Sequence, residues 1–311
     1  MLALDYRPRT LSDLVGQKHV VKVIGKLLEK RAANSAKVPA GLLLAGPRGC
    51  GKTTTARIIS MALNCESPDG VEPCGKCFTC TEIQKGEHSS TLEMDAASHG
   101  LVDDMRKLRE AVLYAHDGQF KVVILDEAHS MSKEAFNALL KQLEEPPPNV
   151  LYILVTTQPE KILQTVISRL MAFSFRPLAA KSIEARLVYV AASEGFEIPE
   201  ELAARIAEHA DGGMRDALML LEQLRIADDL TLDGFESLVG TVNEELCAEI
   251  IRLAVAKDFD ALSTSVEESS RGVSTAMLLE ALVVLLVRVY RVHLGQKARR
   301  QVETDLVEST T

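Results

Sequence analysis

The residues Gly46-Pro47-Arg48-Gly49-Cys50-Gly51-Lys52-Thr53 match the pattern G-x-x-x-x-G-K-[ST] at every fixed position. An apolar run from Gly41 to Ala45 leads in, and Thr54 to Leu63 leads out with helical spacing. Strand, glycine-rich loop and helix is the order that aims backbone N–H groups and a helix N-terminus at phosphate. In that order Lys52 reaches the β- and γ-phosphates of a nucleotide and the Thr53 hydroxyl holds Mg²⁺. Gly46, Pro47, Arg48, Gly49, Cys50, Gly51, Lys52, Thr53 and Thr54 are therefore candidate nucleotide-binding residues.

Such a loop needs acids to complete it. Lys121 to Leu125 is an apolar run of the kind a central parallel strand requires, and it ends in Asp126-Glu127. Open α/β sheets bind ligands at the C-terminal ends of their strands. Asp126 is placed there to orient Mg²⁺, and Glu127 to polarise the water that attacks the γ-phosphate. A further apolar run, Val150 to Val155, ends in Thr156-Thr157, where a polar side chain can meet the γ-phosphate or its water. Ser168-Arg169 follows, and arginine can neutralise charge on a transferring phosphoryl group.

Cys65, Cys74, Cys77 and Cys80, four of the six cysteines, make a C-x8-C-x2-C-x2-C cluster. Clustered cysteines in an intracellular chain point to metal rather than disulfides. Four thiolates suit tetrahedral Zn²⁺ and leave no position open to substrate, so the expected role is structural. Free thiols and an iron–sulfur cluster are the alternatives. Pro68, Gly70, Pro73 and Gly75 lie in the same segment, which has little apolar surface to bury, so metal would supply its order.

Composition excludes several classes. The net charge of −9 argues against broad nucleic-acid coating. The absence of tryptophan and an aromatic share of 4% argue against base stacking as the main mode of binding. No apolar run reaches the ~20 residues of a membrane helix; Met277 to Val289 comes nearest, but Glu280 and Arg288 interrupt it. Asp5, Arg7 and Arg9 stand where a secretory leader needs apolar residues, so a cytoplasmic protein is expected.

The order of these elements resembles the clamp-loader group of AAA+ ATPases. The resemblance is carried by Tyr6-Arg7-Pro8, Val15-Gly16-Gln17, the phosphate loop and the Cys₄ module directly after its helix. Asp95-Ala96-Ala97-Ser98, Asp126-Glu127-Ala128-His129 and Phe136 to Lys141 follow in order, then Leu143-Glu144-Glu145-Pro146-Pro147 and Thr156-Thr157. Ser168-Arg169 and Gly212-Gly213-Met214-Arg215-Asp216 close the series. It covers residues 1–240 strongly and the remainder weakly. The resemblance implies that Arg7, Pro8 and Val15 lie near adenine, Thr157 is sensor 1, Arg215 is sensor 2, and Arg169 is an arginine finger serving a neighbouring subunit. It implies ATP, Mg²⁺ and Zn²⁺ as cofactors. The implied partners are other clamp-loader subunits in a pentameric ring, a sliding clamp and primer–template DNA, with polymerase and helicase joining in longer forms. Two features depart from the pattern. Leu170 replaces the usual cysteine after Ser-Arg, and the chain stops at Thr311, so the collar domain is expected in shortened form. A different AAA+ DNA-remodelling motor and a hydrolysis-poor scaffold subunit are the competing readings.

The expected architecture is an α/β P-loop NTPase domain with a parallel sheet (residues 1–177, zinc module at 65–80), an all-α lid (178–240) and an all-α collar (241–311). Strand and helix patterns alternate up to about Phe175, and no strand pattern follows Arg176-Pro177. Pro199-Glu200-Glu201 reads as a helix start, and Asp211-Gly212-Gly213 as a break that puts Arg215 in a helix's first turn. The last long helix is apolar on more than one side and needs burial or a partner. Ser98, His99, Arg106, Lys107 and Lys141 are candidate DNA contacts, each equally readable as part of a solvated face.

Overall fold

The computed structural model describes residues 1–32, 38–99, 112, 118–239, 244–269, 275–294 and 306–307. The chain divides into two compact units, Met1–Asp228 and Asp229–Thr311. In the first, five strands form one parallel sheet: β1 (Gly41–Ala45), β2 (Thr91–Asp95), β3 (Lys121–Asp126), β4 (Val150–Thr156) and β5 (Met171–Ser174). They lie in the order β2-β3-β4-β1-β5. Strands β1 and β4 are buried along their whole length, as the continuous apolar runs require of a sheet covered on both faces. Successive side chains point to opposite faces, so the core has two layers. Leu42, Leu44, Val122, Ile124, Ile153 and Val155 pack on one face with Ile24 and Ile58. Leu43, Val123, Leu125, Tyr152 and Leu154 pack on the other with Phe136 and Leu139.

Helices of eight residues or more are numbered here. α1 is Lys18–Ala32; α2 is Lys52–Asn64, which starts at Gly51 with φ +100°; and α3 is Phe78–Lys85. α4 is Lys133–Glu144. The Ser132 hydroxyl caps α4 by accepting from Ala135 N–H at 3.1 Å, and Pro146-Pro147-Pro148 follows its end. The lid part of this unit is α5 (Ala180–Ser193), α6 (Glu200–His209) and α7 (Met214–Ile226). No strand follows β5 among the described residues.

The order of strands places the site. The chain leaves β1 for the far edge, returns through β3 and β4, and then adds β5 on the other flank of β1. That reversal opens a crevice outside the C-terminal strand ends, the usual ligand position in such sheets. Ala45 is level with Thr156 there, and Asp95 with Asp126.

The second unit is helical: α8 (Leu232–Val239), α9 (Glu244–Ala256), α10 (Phe259–Ser269) and α11 (Thr275–His293). Cys247, Ala248, Ile250 and Ile251 of α9 meet Leu278 and Leu285 of α11 in its core. Several apolar residues of α11 stay exposed, including Leu279, Val283, Leu286 and Tyr290.

Candidate nucleotide site

A cavity of about 670 Å³ opens at the C-terminal edge of the sheet, and Arg48 to Thr54 form its floor. Two glycines give the loop its path. Gly46 follows β1 at φ +152°, and a Cβ there would come within 2.5 Å of the Phe175 carbonyl oxygen. Gly49, at φ +76°, lies against the start of α7, where a Cβ would meet Gly213 Cα at 2.9 Å. The Met214 N–H donates to the Gly49 carbonyl at 3.1 Å. That contact brings Arg215, in the first turn of α7, to the cavity wall.

The polar end is assembled by short contacts. The buried Lys52 ammonium donates to the Pro47 carbonyl at 2.6 Å, inside the curl of its own loop. Thr53 Oγ1 donates to Asp126 Oδ2 at 2.8 Å, so the two expected Mg²⁺ ligands meet. The other Asp126 oxygen accepts from the Glu127 N–H at 2.9 Å. Burial raises the Asp126 carboxyl above its ordinary value, and the Thr53 and Glu127 donors oppose the shift. The Thr53 hydroxyl and the Asp126 carboxylate together offer the oxygen donors that suit Mg²⁺.

Glu127 sits at φ +46°, in the left-handed region that bulky residues rarely occupy. Backbone strain of this kind gathers at functional sites. Its carboxylate accepts from Thr157 Oγ1 at 3.3 Å and lies 3.4 Å from His129 Nδ1. The same His129 nitrogen is 3.1 Å from Thr156 Oγ1. The structure thus joins Glu127 and Thr157, which are remote in sequence, and adds His129, to which the sequence pattern gave no role.

The other end of the cavity is less polar. Tyr6, Pro8, Leu14 and Val15 from the N-terminal segment face Leu178, Met214, Leu218 and Met219 from the lid. Arg7 lines this region, and its Nε donates to Thr54 Oγ1 at 3.2 Å. Burial holds Arg7 below the usual guanidinium range, and Arg57 and Arg215 push the same way against Glu93 and Asp126. Sequence reasoning missed Arg57, Glu93 and Arg186, which also line the cavity. Arg57 grips Glu93 through two nitrogens at 2.6 and 2.8 Å.

Other expected residues lie elsewhere. Arg169 is on the surface, bonded to Glu144 at 2.6 Å and to the Thr165 carbonyl at 2.7 Å, and is not part of the cavity wall. Ser98 is exposed and donates to Asp95 at 3.1 Å, and Lys141 is exposed on α4. Arg106 and Lys107 lie outside the described residues.

The Cys65, Cys74, Cys77 and Cys80 sulfurs all lie within 4.8 Å of one another. Backbone N–H groups of Cys74, Cys77 and Cys80 donate to the sulfurs of Cys65, Cys74 and Cys77 at 3.3, 3.3 and 3.4 Å. Such donors favour thiolate; those from Lys76 and Cys77 hold Cys74 down at about 6, whereas burial pushes Cys80 up. This is a candidate metal centre with a donor set that fits a soft divalent ion.

A parallel sheet in this order, a phosphate loop after β1, an acidic pair at the end of β3 with β4 between the two strands, and a helical lid together define an AAA+ P-loop NTPase, a class that implies nucleotide and Mg²⁺. Residues 18–179 match the family model described as DNA polymerase III, delta subunit, and residues 185–226 match the RCF1/5-like AAA+ ATPase lid domain. The chain is 38% identical to DNA polymerase III subunit tau of Bacillus subtilis over 283 residues, 89% of this chain and 49% of that protein. It is 36% identical to DNA polymerase III subunit gamma of Buchnera aphidicola subsp. Schizaphis graminum over 261 residues, 83% of this chain and 70% of that one. The chain belongs to the DNA polymerase III tau/gamma family. It spans about half the length of the tau relatives it matches. Its fold is also that of the Thermotoga maritima RuvB Holliday junction branch migration motor, with a TM-score of 0.57 at 20% identity, covering 89% of this chain and 91% of that one.

Proposed function

We propose that this chain is an ATP-hydrolysing subunit of a sliding-clamp loader, acting in DNA replication in the cytoplasm. ATP binding prepares it to open the clamp on primer–template DNA, and hydrolysis releases both. The observation that carries this reading is the convergence of Lys52, Thr53, Asp126 and Glu127 at one end of a cavity, in a chain of the tau/gamma family. The N-terminal segment and lid hold the base, with Arg7, Pro8 and Val15 on its near side. Lys52 and the loop N–H groups hold the phosphates. Thr53 and Asp126 would hold Mg²⁺, and the bound ion would supply charge neutralisation for the phosphates. Glu127 orients the attacking water and takes up its proton, and Thr157 fixes the carboxylate that does so. Arg215 senses nucleotide from the lid.

Arg169 serves a neighbouring subunit's ATP, since it sits on the surface away from its own cavity. The partners are other subunits of a pentameric ring, the clamp and primed DNA, with Ser98, Arg106, Lys107 and Lys141 as candidate phosphate contacts; polymerase and helicase join in longer forms. The domain limits that suit this reading are 1–177, 178–240 and 241–311. A structural zinc suits the Cys₄ centre, because a Zn–S bond of about 2.3 Å brings tetrahedral sulfurs to about 3.8 Å from one another.

The test is ATP turnover by the chain with its partner subunits, measured with clamp, with primed DNA, and with both. Turnover should rise more with both than with either alone. No synergy would sink the clamp-loader reading.

A further inference from the structure

The cysteine module reaches the cavity's N-terminal wall through a charged residue, Glu72. Glu72 stands in the loop between Cys65 and Cys74. Its backbone is pinned to Asp69 by two hydrogen bonds of 3.0 Å, and neighbouring Val71 packs on the core that contains Leu11 and Leu14. Its carboxylate leaves the module: Oε2 accepts from Leu11 N–H at 2.7 Å, and Oε1 from Ser12 N–H at 3.1 Å.

Those two donors matter because of what flanks them. Arg7 and Pro8 line the cavity on one side of the Arg9–Leu14 turn, and Leu14 and Val15 on the other. The remaining N–H groups of the turn are satisfied within it. Arg9 and Thr10 donate to Asp13, Asp13 donates to Thr10 Oγ1, and Leu14 donates to the Leu11 carbonyl. Among the described residues Glu72 is the acceptor for both Leu11 and Ser12 N–H; Leu11 is 1% exposed, whereas Ser12 faces solvent. A buried donor with no acceptor is costly, so loss of Glu72 would leave the Leu11 N–H unsatisfied and strain the turn at its buried corner. A second tie runs the same way. Arg57 of the cavity wall donates to the Gln84 carbonyl in α3, the helix that carries Cys80.

We propose that the cysteine module braces the base-binding wall of the nucleotide cavity through the Glu72 carboxylate, which makes Glu72 a positioning residue for ATP affinity. The inference rests on the nucleotide reading above and gives the module a task beyond its own folding. Glu72 touches no nucleotide; it acts through the turn. Its loss therefore weakens capture of the base and spares capture of the phosphates, which belong to the loop at Gly46 to Thr53.

The experiment is calorimetric titration of the full 311-residue chain with ATP and, separately, with inorganic tripolyphosphate, alongside metal content and Tm. Glu72→Ala should weaken ATP binding about tenfold, the factor that 1.4 kcal/mol represents, with tripolyphosphate affinity and bound zinc unchanged. Glu72→Gln keeps one acceptor oxygen and should fall between the two. Unchanged ATP affinity in Glu72→Ala would overturn the brace, and so would a parallel loss of ATP and tripolyphosphate. Should Glu72→Ala not fold, Glu72→Gln with wild-type ATP affinity overturns it equally. A wild-type chain that takes up no ATP defeats the nucleotide reading itself, a result distinct from both.

Discussion

At the scale of single residues, the proposed function assigns holding nucleotide and cleaving it to different side chains. Lys52→Ala removes the ammonium at the loop and should abolish most nucleotide binding. Glu127→Gln keeps the size of the side chain and removes its basicity; turnover should fall by about 10²–10⁴ with ATP still bound, as single-turnover kinetics on the assembled complex would report. Asp126 gives a pH test. Its folded carboxyl titrates above the ordinary value of 3.8, so the folded chain holds a proton that the unfolded chain has released. Stability then falls as pH rises through that window, and the cost of the buried charge is fully present above it. Asp126→Asn should raise the Tm of the ligand-free chain at pH 7, and its advantage should shrink as pH is lowered toward 4. An advantage that holds constant across thermal melts from pH 7 to pH 4 would refute the burial argument. Arg169→Ala should slow hydrolysis by up to about 10³ in the assembled complex and leave an isolated subunit unaffected.

Elements explain why some of this was legible in the sequence and some was not. The phosphate loop, the strand ending in Asp126-Glu127 and the cysteine cluster are each local, so spacing along the chain gives the residues and the elements that carry them. The break before Met214 is local too: Asp211 at φ +42° and Gly212 at φ +84° reverse the chain there. By contrast, Arg57 meets Glu93 across 36 positions and Thr157 meets Glu127 across 30, and no periodicity encodes such pairs. Glu127's left-handed backbone was equally invisible, since glutamate carries no signal for it. Two expectations at this scale have direct tests. Purified protein should carry one zinc per chain, and its removal should lower Tm by roughly 10 °C, since several kcal/mol are at stake at about 2–4 °C each. On α4, Lys141→Ala should weaken DNA-stimulated turnover and reduce the salt slope of DNA binding by about 1 while sparing basal ATP binding.

For the whole molecule, the two units differ in how they satisfy their apolar surface. The first unit covers both faces of its sheet, so its core is complete within the chain. Among its described residues, the second does not. Leu279, Val283, Leu286 and Tyr290 recur on α11 at helical spacing, and each is about half exposed or more. None of the described helices is long and apolar enough to cross a membrane, so lipid spanning is no explanation for that stripe. An apolar face of this length calls for cover in water, and in the proposed ring a neighbouring subunit would supply it. Val283→Glu combined with Leu286→Glu puts two charges in the middle of the stripe, where an interface cannot pair them. The double variant should remain monomeric when mixed with its partner subunits and a nonhydrolysable ATP analogue, conditions under which the wild-type chain should gain mass. Its own ATP affinity should be unchanged, because the described residues that line the cavity all belong to the first unit. Native mass measurement of both mixtures decides the matter: a double variant that still enters the complex would remove α11 from the assembly surface.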